Sequence, residues 1–236
     1  MTAYALAQSD CGGVRLSLAG ADVILRVSGA LWAQAHGALI VADLHLEKGS
    51  SYAARGQMLP PYDTGDTLSR LEAEVSALAP DLVVLLGDSF HDRDAEARLA
   101  APYAKRLHAL ADGRRLVWVV GNHDADGPRL ARGEVTDVLA LGPLTLRHEP
   151  LEGLQPGEVS GHLHPCARVR ASLGTVRRRC FVTDAERAVL PAFGAFAGGL
   201  NVRDCAFAGL FARPPIAAAL GQGRVHAVGW RSLSPD

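Results

Sequence analysis

Ala38-Leu39-Ile40-Val41-Ala42-Asp43-Leu44-His45 sets the pattern of this chain: five apolar residues in a row stop at a carboxylate and an imidazole. A short unbroken apolar run of this kind reads as a strand buried on both faces, as parallel sheets require. The same grammar recurs outward along the sequence. Leu82 to Leu86 closes on Gly87 and Asp88, and Leu116 to Val120 closes on Gly121, Asn122, His123 and Asp124. Leu144 to Leu146 leads to His148, and the stretch before Gly161 leads to His162 and His164.

The intervals between the first three runs read as helical. Leu68, Leu71, Val75 and Leu78 form one apolar face, stopped by Pro80, after a Gly- and Pro-punctuated loop from Lys48 to Pro61. A second helical stretch spans about Asp94 to Leu110, where Pro102 is better placed opening a new helix than inside a continuous one. Strand, helix, strand, helix, strand implies parallel pairing with right-handed crossovers, so Asp43, Asp88 and Asn122 should emerge on one sheet edge. Before them, Val14 to Leu18, Val23 to Val27 and Leu31 to Gln34 read as an opening meander. After Gly127, the runs Val135 to Leu139, Leu144 to His148, Arg168 to Ala171, Val176 to Val182, Ala188 to Pro191 and Arg224 to Val228 suggest a largely antiparallel second sheet. The expected fold class is α/β, a layered α/β/β/α sandwich of two mixed sheets, with residues 1–236 as a single domain.

With 236 residues and 48% apolar content, the chain can bury a full core. The net charge of -1 excludes a surface that attracts duplex DNA as a whole, so any nucleic-acid contact must use a local patch. Cys11, Cys166, Cys180 and Cys205 fall in no zinc-ribbon spacing and read as reduced thiols. No apolar stretch approaches a membrane span, and the cytoplasm is the expected compartment.

Asp43 and His45 occupy alternate positions, so both side chains leave one face of an extended segment. The carboxylate of Asp88 has two oxygens and can serve two cations at once. Gly121 lets the backbone turn after a buried strand and present amide, imidazole and carboxylate in succession. Mixed carboxylate, imidazole and amide oxygen ligation suits two divalent cations, with manganese, iron or zinc all acceptable. Such a pair supports direct hydrolysis, in which a metal-bridging water attacks phosphorus. His123 is then the proton donor or hydrogen-bond donor to the leaving oxygen, with Asp124 expected to orient its ring.

The ordered set Asp43/His45, Gly87-Asp88, Gly121-Asn122-His123-Asp124, His148 and Gly161-His162-Leu163-His164 resembles the calcineurin-like binuclear metallophosphoesterase superfamily. That resemblance implies one ion held by Asp43, His45, Asp88 and His164, a second held by Asp88, Asn122, His148 and His162, and His123 unligated beside the phosphate. Leu46-Glu47-Lys48-Gly49-Ser50-Ser51, Gly87-Asp88-Ser89-Phe90-His91-Asp92, Ser160 to Pro165, Arg177-Arg178-Arg179-Cys180-Phe181 and Pro191-Ala192-Phe193-Gly194 are similar to the bacterial ligase-associated DNA damage response endonuclease family. This closer likeness implies a manganese-dependent endonuclease on single-stranded DNA, in functional association with a DNA ligase and a helicase. His91 stands where many superfamily members carry aspartate, and it and Arg55 are candidate substrate contacts.

Two other readings fit the same metal core: a phosphomonoesterase or nucleotide or cyclic-nucleotide hydrolase, and a non-catalytic scaffold that would be expected to have lost ligands. A homodimer is the generic expectation. Arg168, Arg170, Arg177, Arg178 and Arg179 form the densest basic cluster, and a DNA track and a solvated sheet edge explain it equally well from sequence.

Overall fold

The structure, a computed structural model, describes residues 4–57, 59–129, 131–171 and 174–236. Its first sheet runs in chain order: β1 (Ala7–Gln8), β2 (Val14–Leu18), β3 (Ala21–Leu25), β4 (Leu31–Ala33), β5 (Ala38–Ala42), β6 (Leu82–Leu86), β7 (Arg115–Val119) and β8 (Glu134–Thr136). The meander through β5 is antiparallel, and β5 to β8 pair in parallel. Residues of β5, β6 and β7 alternate between two cores: Ile40, Val84 and Val117 face the second sheet, while Val41, Leu85 and Trp118 face the helices. Burial on both sides is why these strands carry no polar alternation.

The helices are α1 (Lys48–Ala54), α2 (Asp63–Leu78), α3 (Ala95–Arg98) and α4 (Ala101–Ala109). α2 buries Leu68 and Leu71 and ends at Ala79 in a left-handed turn before Pro80; Pro102 sits in the first turn of α4, as expected. The Lys48 to Pro61 loop needs correction, because its first seven residues are helical. This helix is made by docking, not propensity: Gly49 donates its N–H to Asp63 at 2.9 Å, and a Cβ on Gly49 would strike that carboxylate.

The second sheet contains β9 (Val138–Leu141), β10 (Leu144–Arg147), β11 (Glu158–Ser160), β12 (Cys166–Ala171), β13 (Gly174–Thr183), β14 (Ala188–Val189), β15 (Ile216–Leu220) and β16 (Val225–Gly229). Its order is β16-β15-β13-β14-β11-β10-β9, with β12 off this path and paired to β13. β10/β11 and β11/β14 are parallel and the other pairs antiparallel. The expected strand Val135 to Leu139 proves to be two pieces, because β8 finishes the first sheet and β9 opens the second. Phe181 and Ala218 face the first sheet, while Cys180, Val182, Ala217 and Ala219 face Phe207 and Leu210 on the far side. The two mixed sheets therefore stack as expected; the outermost layer beside the second is built from short 3₁₀ turns and extended segments.

One buried ion pair ties that layer down. Arg187, 1% exposed, reaches the Glu158 carboxylate at 2.6 Å and donates to the carbonyls of Gly153 (3.0 Å) and Leu210 (2.8 Å). Arg187→Met would leave the buried Glu158 with Arg147, 3.2 Å away, as its remaining cation, a change expected to cost about 3 kcal/mol in denaturant unfolding. A loss under about 1 kcal/mol would show that Glu158 finds other solvation.

Candidate metal centre

Every candidate ligand lies just past the C-terminal end of a strand, and most turn there in an unusual way. Asp43, His45, Asp88, His162 and His164 have φ of 55°, 44°, 46°, 66° and 45°. Left-handed backbone costs a non-glycine residue roughly 1–3 kcal/mol and persists only where surroundings impose it. Here they do. Asp43 N–H donates to Gly87 O (3.2 Å), His45 N–H to Asp88 O (2.9 Å) and Gly161 N–H to His148 O (3.0 Å). His162 N–H donates to the Asp43 carboxylate at 3.0 Å. The turns swing each side chain back toward one point between the sheets.

Two triads result: Asp43, His45 and His164, and Asp88, His148 and His162, each with its ligand atoms within 4.8 Å of one another. In the first, the Nε2 atoms of His45 and His164 face each other at 3.2 Å, and His164 Nε2 is 3.3 Å from Asp43 Oδ1. In the second, His148 Nε2 lies 3.1 Å from His162 Nδ1, 3.0 Å from Asn122 Oδ1 and 3.4 Å from Asp88 Oδ2. Ring nitrogens opposed at these distances, with carboxylates beside them, are the arrangement that a cation between them satisfies. Burial, then the neighbouring His164, pushes His45 down to about 3, so it stays neutral and able to ligate. Burial opposes charge on Asp88 too, but the hydrogen bond and charge of His148 outweigh it and hold the carboxyl at about 2. His148 is raised, since its contacts with Asp88 and Asp43 overcome burial.

Asp88 stands between the triads. Its Oδ2 is 4.0 Å from His45 Nε2 and 3.4 Å from His148 Nε2, and its Oδ1 accepts from His123 N–H at 2.9 Å. The side chain of His123 is 41% exposed at the mouth of the centre, with Nε2 3.9 Å from Asp88 Oδ2. The expected contact from Asp124 to this ring is not made. Asp124 instead accepts from the backbone N–H groups of Ser89 (2.7 Å), Phe90 (3.2 Å) and Gly121 (2.9 Å), tying the turn after β6 to the turn after β7. His123 Nδ1 faces the His91 carbonyl at 2.8 Å, so a backbone oxygen sets its tautomer.

His91 stacks on His123 with ring centres 5.6 Å apart, and Tyr52 of α1 is 5.9 Å away on another side. Burial and the nearby Lys48 and His123 push its imidazole down to about 4, with Arg55 adding to the same effect. Arg55 itself is exposed at the C-terminal end of α1. The motif Pro191-Ala192-Phe193-Gly194, to which the sequence assigned no structural role, belongs to a supporting strap at 192–195. Phe193 N–H donates to Ala42 O (2.8 Å) and Gly194 N–H to Asp43 O (3.0 Å), while Arg179 grips the carbonyls of Ala192 (2.9 Å) and Gly194 (2.8 Å) and Arg70 that of Phe193. The available signal was Arg70, a cation set between Leu68 and Leu71 on a burying helix face.

Three glycines are fixed by the centre. A Cβ at Gly87 would enter the His148 ring, one at Gly121 the Asp88 carboxylate, and one at Gly161 the Asp43 carboxylate. Gly161→Ala is therefore expected to weaken manganese binding at least tenfold, about 1.4 kcal/mol, by calorimetric titration of the folded protein. Unchanged affinity would mean that Asp43 moves freely and does not define the site.

The calcineurin-like phosphoesterase (Metallophos) family profile matches residues 38–170, the segment that carries every ligand. No curated protein matches the chain. Among solved structures, the nuclease MPE of Pseudomonas putida is similar at 27% identity and a TM-score of 0.69, over 92% of this chain and 100% of that one. The E. coli phosphoesterase YfcE aligns at 16% identity and a TM-score of 0.40, over 81% and 98% of the two chains. A profile match over more than half of the residues, on a two-sheet sandwich with two ligand triads at its strand ends, shows that the chain belongs to the calcineurin-like phosphoesterase family of metal-dependent phosphoester hydrolases.

Proposed function

We propose that this hydrolase is a DNA phosphodiesterase that cuts single-stranded DNA as an endonuclease. The two triads meeting at Asp88 carry the hydrolytic part of the reading. The near full-length likeness to a nuclease supports the nucleic-acid part. Asp43, His45, Asp88 and His164 would hold one divalent cation, and Asp88, Asn122, His148 and His162 the other; the mixed donors suit manganese, with iron or zinc as substitutes. When bound, such a pair supplies an acidified water and neutralises charge on the phosphoryl oxygens. The residues around it do the rest. His123, oriented by the His91 carbonyl, presents Nε2 to the departing oxygen and, when protonated, gives up that proton. His91, stacked on His123, and Arg55, whose charge is felt by His91, are the proposed substrate contacts. A role in DNA repair beside a ligase and a helicase is the setting that the sequence motifs suggest.

The centre is open to solvent at its mouth: the side chains of His123, His162 and His164 are 41%, 30% and 19% exposed while those of Asp43 and Asp88 are buried. Among the described residues, no helix is long and apolar enough to cross a membrane. The test is purified manganese-loaded protein with circular single-stranded DNA, bis(p-nitrophenyl) phosphate and a panel of phosphate monoesters. Linearisation of the circle with diester turnover is expected. Rapid monoester turnover with DNA and the diester untouched would overturn the nuclease reading and favour a phosphatase or nucleotide hydrolase.

A further inference from the structure

The arginines that strand alternation divides along β13 are reunited by its register with β12. Arg168 pairs with Arg177, Arg170 with Thr175 and Cys166 with Arg179, and antiparallel partners point to the same face. Four arginines, at 168, 170, 177 and 179, therefore share one face of a two-stranded ribbon, with Arg178 on the other. That other face carries Ala167 and Val169 against the outer core. The arginine face is the one that carries Phe181 further along β13, the side turned toward the first sheet.

The ribbon also leaves the sandwich at the same edge as the ligands. β13 runs antiparallel to β14, which is parallel to β11, so residues before Cys180 extend beyond the edge where His162 and His164 emerge. β12 begins two residues after His164, and Cys180 N–H donates to Pro165 O at 3.0 Å. At about 3.3 Å per residue, Arg170 stands roughly 20 Å of chain from His164. A groove lined by Ser28, Arg70, Arg177, Arg179 and Gln222, with Arg178 of the other face also at its wall, continues along this edge, and Arg179 also braces the strap behind Asp43. The segment Cys166 to Arg179 contains no acidic residue. Among the described residues, the only carboxylate in an ion pair with these four guanidinium groups is Asp236, 3.5 Å from Arg177, while Arg168 and Arg177 each also donate to one carbonyl, of Pro235 and Gly199.

We infer that this ribbon face and the groove at its root form a sequence-independent track for the sugar-phosphate backbone of a single strand, leading it into the metal centre. The inference rests on the nuclease reading for its ligand and adds where that ligand lies. Guanidinium groups grip phosphate oxygens bidentately, and no base-reading or stacking platform is needed for a strand cut without sequence choice.

The experiment titrates the full chain, in chelator to prevent cleavage, into a fluorescent oligothymidylate and follows anisotropy at several salt concentrations. Arg170→Gln/Arg177→Gln is compared with wild type and with Arg15→Gln on β2, and thermal melts confirm folding. The double variant is expected to bind at least tenfold more weakly at low salt. Its log-log salt slope should fall by about 1.4, two single-strand phosphate contacts at about 0.7 each. Arg15→Gln should bind as wild type. Equal affinity and slope in the double variant, or a wild type that does not bind, would overturn the track. Parallel assays with manganese separate the two claims: binding that depends on the arginines without cleavage would sink the nuclease reading and leave the track standing.

Discussion

Asp88→Ala is expected to lower diester turnover by at least 10³-fold, about 4 kcal/mol of transition-state stabilisation, and to leave the protein with one manganese ion or none. One oxygen of its carboxylate faces a candidate ligand nitrogen of each triad, 4.0 Å from His45 Nε2 and 3.4 Å from His148 Nε2. Removing it takes negative charge from between two cations, so each would feel the other's repulsion unscreened at the short separation of two-metal sites. The carboxylate also accepts from His123 N–H, so the turn that carries His123 loosens in the same variant. Asp88→Asn keeps that acceptor and separates the effects. It should retain the fold of the turn and still lose metal and turnover. Metal content by plasma emission beside turnover of bis(p-nitrophenyl) phosphate reads both. Two ions retained with less than tenfold loss would show that Asp88 does not join the sites.

His123→Ala should instead keep both ions and lose about 10²–10⁴-fold on DNA, the usual worth of a placed proton donor. Its ring belongs to neither triad, packs edge-on against His45 with ring centres 5.3 Å apart, lies 3.9 Å from Asp88 Oδ2, and is held through Nδ1 by the His91 carbonyl. The contrast between substrates is diagnostic. An alkoxide leaving from DNA needs a proton, whereas p-nitrophenolate leaves readily without one, so bis(p-nitrophenyl) phosphate should suffer far less. Equal losses on both substrates would assign His123 to binding or positioning, and a parallel loss of metal would make it a ligand.

Much of this was legible in the chain because both-face burial leaves a plain mark. Ala38 to Ala42 and Leu82 to Leu86 could only be central strands, and the polar residues that interrupt them had to stand at strand ends. Other features depend on tertiary neighbours. α1 has no apolar period and is helical because Gly49 packs on Asp63. β15, Ile216 to Leu220, holds three alanines, poor strand formers by propensity, and is extended because it pairs between β13 and β16. Asp124 sat next to a candidate proton donor in sequence, yet its carboxylate turns inward to three backbone N–H groups. Adjacency along a tight turn says little about which way a side chain points. The shared face of Arg168 and Arg177 required a pairing register, which one strand's alternation cannot supply.

The most direct measurement is anomalous diffraction from a crystal of the manganese-loaded chain. Two peaks on either side of Asp88, roughly 3.5 to 4 Å apart, are expected, one against Asp43, His45 and His164 and the other against Asn122, His148 and His162. A single peak at full loading, or peaks away from Asp88, would contradict the binuclear centre on which the rest depends.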